Sequence, residues 1–146
     1  MNRKSIAASQ FCKGEDKMID YGFTKELKAG YEQVVEKVTE KLAKAGFGIL
    51  TTIDVKEKFK QKLDIDFKKY VILGACNPAN ARKAIEVEEN IGLMLPCNVI
   101  VYEKGGGTVV SVIKPTVAMQ MIDNPPLGKI AAEVETQLKQ VFDSLE

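Results

Sequence analysis

A chain of 146 residues with 45% hydrophobic side chains is long enough for one compact domain that buries roughly 70% of its unfolded surface. Its 21 basic and 20 acidic residues leave a net charge of +1, so no global field draws it to nucleic acid or an anionic membrane, and the lack of tryptophan argues against a base-stacking platform. There is no histidine, which excludes Ser-His-Asp and Cys-His catalysis, imidazole metal sites and histidine pH switches and leaves proton transfer to carboxylates, lysine, tyrosine or a thiol.

Residues 1–17 are mixed and polar without a sustained period and read as an N-terminal tail; residues 18–146 read as a single domain. Arg3, Lys4 and the short Ile6-Ala7-Ala8 are too weak for a secretory signal. No apolar run approaches the ~18 residues of a membrane-crossing helix, so the expected location is the cytoplasm. Residues 21–27 alternate as a first strand. From about Gly30, Tyr31, Val34, Val35, Val38, Leu42 and Ala45 recur at helical spacing, and Gly46 supplies the left-handed stop. Residues 47–53 alternate as a second strand. Asp54 and Glu57 then form a capping-box variant, opening a short surface helix to about Lys62.

Residues 70–75 are nearly all apolar, a third strand in a covered position. Asn77 caps the next helix and Pro78 takes its first position; Ala81, Ala84, Ile85 and Val87 give it a narrow packing face. Residues 98–103 and 108–113 form a hairpin about Lys104-Gly105-Gly106-Gly107. The three glycines lack the lysine-serine ending of a phosphate loop and lie between two strands, so the turn reading prevails. Residues 116–121, with Val117, Met119 and Met121 on one side, read as a last edge strand. Asn124-Pro125-Pro126 opens a final helix with Ile130, Val134, Leu138, Val141 and Leu145 as its stripe. The order, with its terminal hairpin, predicts an α+β fold: one mainly antiparallel sheet with helices on one face.

Four residues are singled out as functional candidates: Cys76, Asn77, Cys97 and Asn98. Gly74-Ala75-Cys76-Asn77-Pro78 is answered by Leu95-Pro96-Cys97-Asn98-Val99, each placing a cysteine beside an asparagine at the border of an apolar run. Cys76 stands just before a helix start, where backbone N–H groups and the helix dipole favour a thiolate. The plainer reading is a small buried residue ending a core strand. Cys97 is its possible resolving thiol. A parallel crossover between the two strands would put the cysteines at opposite ends of the sheet, too far apart to bond, whereas a loop return through residues 91–96 would undo that separation. Both asparagines suit buried polar roles, Asn77 as a cap and Asn98 as a tie to the Cys76 turn. Cys12 reads as an incidental tail thiol. The cysteines have neither the count nor the spacing of a disulfide framework or a zinc knuckle, so no metal and no cofactor is expected. Glu86, Glu88 and Glu89 read as a solvated helix end. Lys56, Lys58, Lys60, Lys62, Lys68 and Lys69 form a basic strip diluted by Glu57, Asp64 and Asp66. Met94, Met119 and Met121 read as core and interface fillers rather than a soft-metal site.

Leu73-Gly74-Ala75-Cys76-Asn77-Pro78, Ile91-Gly92-Leu93-Met94-Leu95-Pro96-Cys97-Asn98-Val99 and Val101-Tyr102-Glu103, with the opening Tyr21-Gly22-Phe23 and the closing Asn124-Pro125 helix, resemble the prokaryotic domain-of-unknown-function family 302 over residues 18–146. The resemblance implies a TATA-binding-protein-like α+β fold with a curved antiparallel sheet, and a homodimer. It implies no activity, cofactor or catalytic residue, and a shared fold does not imply DNA binding. Three functions compete: a non-catalytic module that binds or senses a small-molecule ligand, a self-associating homodimeric module, and a thiol-dependent redox protein using Cys76 with Cys97. No catalytic constellation is visible, so the expectation leans away from an enzyme. Neither nucleic acid nor membrane is expected as a partner.

Overall fold

The computed structural model describes residues 17–146. The chain runs β1 (Lys17–Ile19), β2 (Gly22–Leu27), α1 (Tyr31–Lys44), β3 (Gly48–Asp54), α2 (Val55–Leu63), β4 (Tyr70–Cys76), α3 (Pro78–Val87), a 3-10 turn (Glu89–Met94), β5 (Cys97–Lys104), β6 (Gly107–Ile113), a one-turn α4 (Pro115–Ala118) and α5 (Pro125–Asp143). The six strands form one sheet in the order β1-β2-β6-β5-β4-β3. Every neighbouring pair is antiparallel. The α+β class with helices on one side is as expected. The first strand of the sheet is an addition: Lys17, read as tail, already pairs with Thr24. Cys12 and the rest of the tail lie outside the described residues.

Strand alternation separates the two faces of the sheet. On the helix side, Phe23 and Leu27 from β2, Val71, Leu73 and Ala75 from β4, Cys97, Val99 and Val101 from β5, and Val110 and Val112 from β6 form one core with Val34, Val38 and Leu42 of α1 and Val134, Leu138, Val141 and Phe142 of α5. The helix stripes read from the sequence are the buried ones. On the other side, Thr24 and Ser111 face each other across β2 and β6 and join hydroxyls at 2.7 Å, which lets two polar side chains be buried.

Local chemistry sets the boundaries. Asp54, Asn77 and Asn124 each accept a hydrogen bond from the backbone N–H three residues on, capping α2, α3 and α5. Glu57 does not close a capping box: its carboxylate accepts from Gln61 Nε2 instead. Gly105 and Gly106 turn the hairpin with φ of 53° and 84°, values a side chain resists. Residues 116–121 are not a strand. Pro115 starts a helical turn there, with its fixed φ suited to a first helical position, and Met119 is buried against Ala84, Ile91, Leu127 and Ala131. The predicted packing face of α3 is narrower still: Ala84 is buried, while Ile85 and Val87 are exposed.

The flank made by β3 and α2 differs from the rest. Among the described residues β3 is an outermost strand, paired with β4 alone, and its ladder shifts register between Ile49 and Thr51, leaving Leu50 in a bulge. From residue 48 to residue 70 no residue is buried. Leu50, Ile53, Leu63 and Ile65 are 42–64% exposed. The sequence predicts a half-buried β3 because its pattern alternates; its place at the sheet edge overrides that pattern.

Candidate functional site

The two cysteine motifs meet at one end of the sheet. β4 and β5 are antiparallel, and Cys97 lies directly opposite Ala75, the residue before Cys76. This corrects the separation expected from a parallel crossover. The 3-10 turn brings the chain back so that β5 starts beside the end of β4. The thiols are close enough for the charge of Cys76 to act on Cys97, yet both are free.

They border a narrow cleft under α3 and α5, lined chiefly by Phe47, Ala75, Ala84, Met119, Ala131 and Val134 with the two cysteines. Small side chains on both helices make the gap. It measures about 420 Å³ with its open mouth, of which about 30 Å³ admits the centre of a water-sized sphere. The polar groups beside it are occupied. Asn77 Oδ1 accepts from the backbone N–H of Asn80, and buried Asn80 donates its side-chain amide to Gln137 Oε1 at 3.3 Å. Among the described residues no buried side-chain nitrogen or oxygen lacks a partner.

Neither thiol is activated. Burial pushes Cys76 above its ordinary value despite the helix start that follows it. Burial pushes Cys97 further, to about 11, and the neighbouring Cys76 adds to the rise. The sign follows from desolvation: an apolar surround disfavours the thiolate, so the reactive form is depleted at neutral pH. A thiol with a pKa of about 11 is ionised roughly once in ten thousand molecules at pH 7. Iodoacetamide should therefore label Cys76 more slowly than a free thiol at pH 7, and Cys97 more slowly still. Both rates should climb through pH 9 without levelling. A Cys76 rate that plateaus below pH 8 would contradict this account.

Asn98 is not part of the cleft. It pairs with Gly74, one step out of phase with Cys97, and is exposed rather than buried. Sequence reasoning missed the cleft's helix-side lining, Ala84, Met119 and Ala131. Ala84 reads as a helix packing residue and Met119 as part of an edge strand and a filler, Ala131 is not singled out, and nothing local places them opposite the cysteines. It also missed Lys25, buried at 6% exposure, whose ammonium donates to the Leu145 carbonyl at 3.0 Å and lies over the Phe142 ring. A lysine in an alternating strand carries no local sign of such burial. Among the described residues no group of three or more cysteine, aspartate and glutamate side chains is arranged to hold a metal. No described helix is long and apolar enough to cross a membrane.

Fold and cleft together define a small α+β domain with an antiparallel sheet, helices on one side and two unlinked thiols at one sheet end. The chain belongs to the family described as domain of unknown function DUF302, whose model matches residues 23–145. It is similar to the crystal structure of an uncharacterized conserved DUF302 protein from Bacillus stearothermophilus. The two share 32% identity and a TM-score of 0.81, over 88% of this chain and 100% of that one. No curated protein matches it.

Proposed function

We propose that this protein is a non-catalytic module that works as a homodimer. The observation that carries the reading is the β3–α2 flank, where residues 48–70 bury nothing while Leu50, Ile53, Leu63 and Ile65 stand in solvent. A strand and helix that contribute no buried residue gain little from their own domain, and large apolar side chains left exposed on that flank support an interaction surface there. The competing readings have less support. Ligand pockets usually measure about 300–1,000 Å³; the cleft beside the cysteines offers about 30 Å³, and the roomier hollow beside Tyr31, Lys68 and Gly106, about 510 Å³, lies open to solvent. Thiol chemistry needs a thiolate, and burial works against both candidates.

Sedimentation velocity at micromolar concentration tests the proposal. The expected result is a dominant species of twice the 16.1 kDa chain mass. A single monomeric boundary across the micromolar range would remove it.

A further inference from the structure

Resting on the homodimer reading, we infer that the second copy docks on the β3 edge, strand against strand about a two-fold axis, so that the two sheets become one. The sheet has two outer strands among the described residues: β1 with three residues and β3 with seven. A free strand edge presents unpaired N–H and C=O groups that another strand can satisfy. The bulge at Leu50 interrupts the ladder, but Thr51 to Asp54 run in regular register with β4 and keep a straight edge.

Charge selects the occupant. A two-fold axis sets each residue near it against its own copy, so a charged residue there would meet a like charge. Of the seven residues of β3 only the last, Asp54, is charged, in a chain that is 28% charged, and a two-fold axis between Thr52 and Ile53 sets Asp54 against Thr51 rather than against its own copy. The strand also lacks proline and lysine, the common protections of an exposed edge. A partner of fixed opposite charge would leave a charged counterpart on the strand; a second copy requires none. Charges begin off the axis, and there both signs occur: Lys56, Lys58, Lys60 and Lys62 on α2, with Glu57, Asp64 and Asp66. A surface carrying both signs can complement itself when rotated. Pairing consumes the long edge and leaves β1 outermost at each end, which stops assembly at two.

Leu50→Lys with Ile53→Lys tests the surface, since both side chains already stand in solvent and their replacement leaves the buried core untouched. Leu93→Lys is the control, at a 90% exposed apolar residue on the 3-10 turn, outside β3 and α2. Sedimentation should show the double variant self-associating at least about 100-fold more weakly, with like charges now meeting across the axis, and Leu93→Lys unchanged. A double variant that dimerises like the wild type overturns the β3 assignment and leaves the dimer standing. Loss of the dimer in Leu93→Lys alone moves the interface to the α3 side. A monomeric wild type removes the homodimer reading itself. Hydrogen exchange on the unaltered chain gives a second readout should the double variant misfold. Those amides of residues 51–54 whose N–H groups point away from β4 should gain protection as concentration rises, and protection independent of concentration overturns the assignment.

Discussion

Gly74→Val should destabilise the fold by about 3 kcal/mol, read as a fall in the urea midpoint at unchanged slope. Gly74 lies in β4, which is paired on both sides, and its backbone conformation is ordinary, so the constraint is space rather than φ. A Cβ at this position would collide with the Thr51 hydroxyl from β3 and would stand 2.7 Å from Cγ of Pro96. Thr51 can turn away. Pro96 cannot, because its ring is fixed to the backbone just ahead of Cys97. The strand cannot shift either, since its other face carries Val71, Leu73 and Ala75 into the core. Thr51→Ala in the same chain should therefore recover only part of the loss. A Gly74→Val variant within 0.5 kcal/mol of wild type would show that the two motifs are less tightly packed than this contact requires.

The same contact marks how much of the site was legible in the sequence. Asn77-Pro78 signalled a helix start, which is local chemistry and holds, whereas the close approach at Gly74 shows only once β3 and Pro96 are in place. The caps at Asp54, Asn77 and Asn124, the glycine turn and the two long helix stripes were legible for the same reason. The relation between Cys76 and Cys97 was not. It depends on the direction in which β5 returns beside β4, and the intervening helix and 3-10 turn do not encode that direction residue by residue. Asn98 was misplaced because one step along a strand reverses the face. Residues 116–121 alternate like a strand, but Pro115 favours a helical turn and Met119 finds a buried place beside α3 and α5. The exposure of β3 was hidden for a related reason: an alternating strand looks alike at the centre of a sheet and at its edge. Only the finished strand order places it at the sheet edge, with no neighbour on its outer side among the described residues, and that fact supports the functional proposal.

Phe142→Ala should cost about 4 kcal/mol, the larger of the two effects, on a domain whose whole stability is expected at about 5–15 kcal/mol. Phe142 is 2% exposed in the last turn of α5 and packs on Phe23 of β2 with ring centroids 5.7 Å apart. The buried Lys25 ammonium stands 4.4 Å from its ring centroid and also donates to the Leu145 carbonyl. Truncation therefore leaves a cavity and also removes one partner of a buried cation, two penalties that a surface substitution avoids. Chemical denaturation of Phe142→Ala, Lys25→Met and the double variant separates them. The ring and the ammonium should show a coupling of about 1 kcal/mol, with the double variant losing less than the sum of the single losses. Strict additivity would mean that Lys25 acts through the Leu145 carbonyl, just past the end of α5, and not through the ring. Coupling would mean that one buried lysine joins β2 to the last helical turn through both the ring and the chain end, holding α5 over the sheet on the side away from β3. The dimer proposed at β3 would then lose affinity in Phe142→Ala only to the extent that the fold itself is lost.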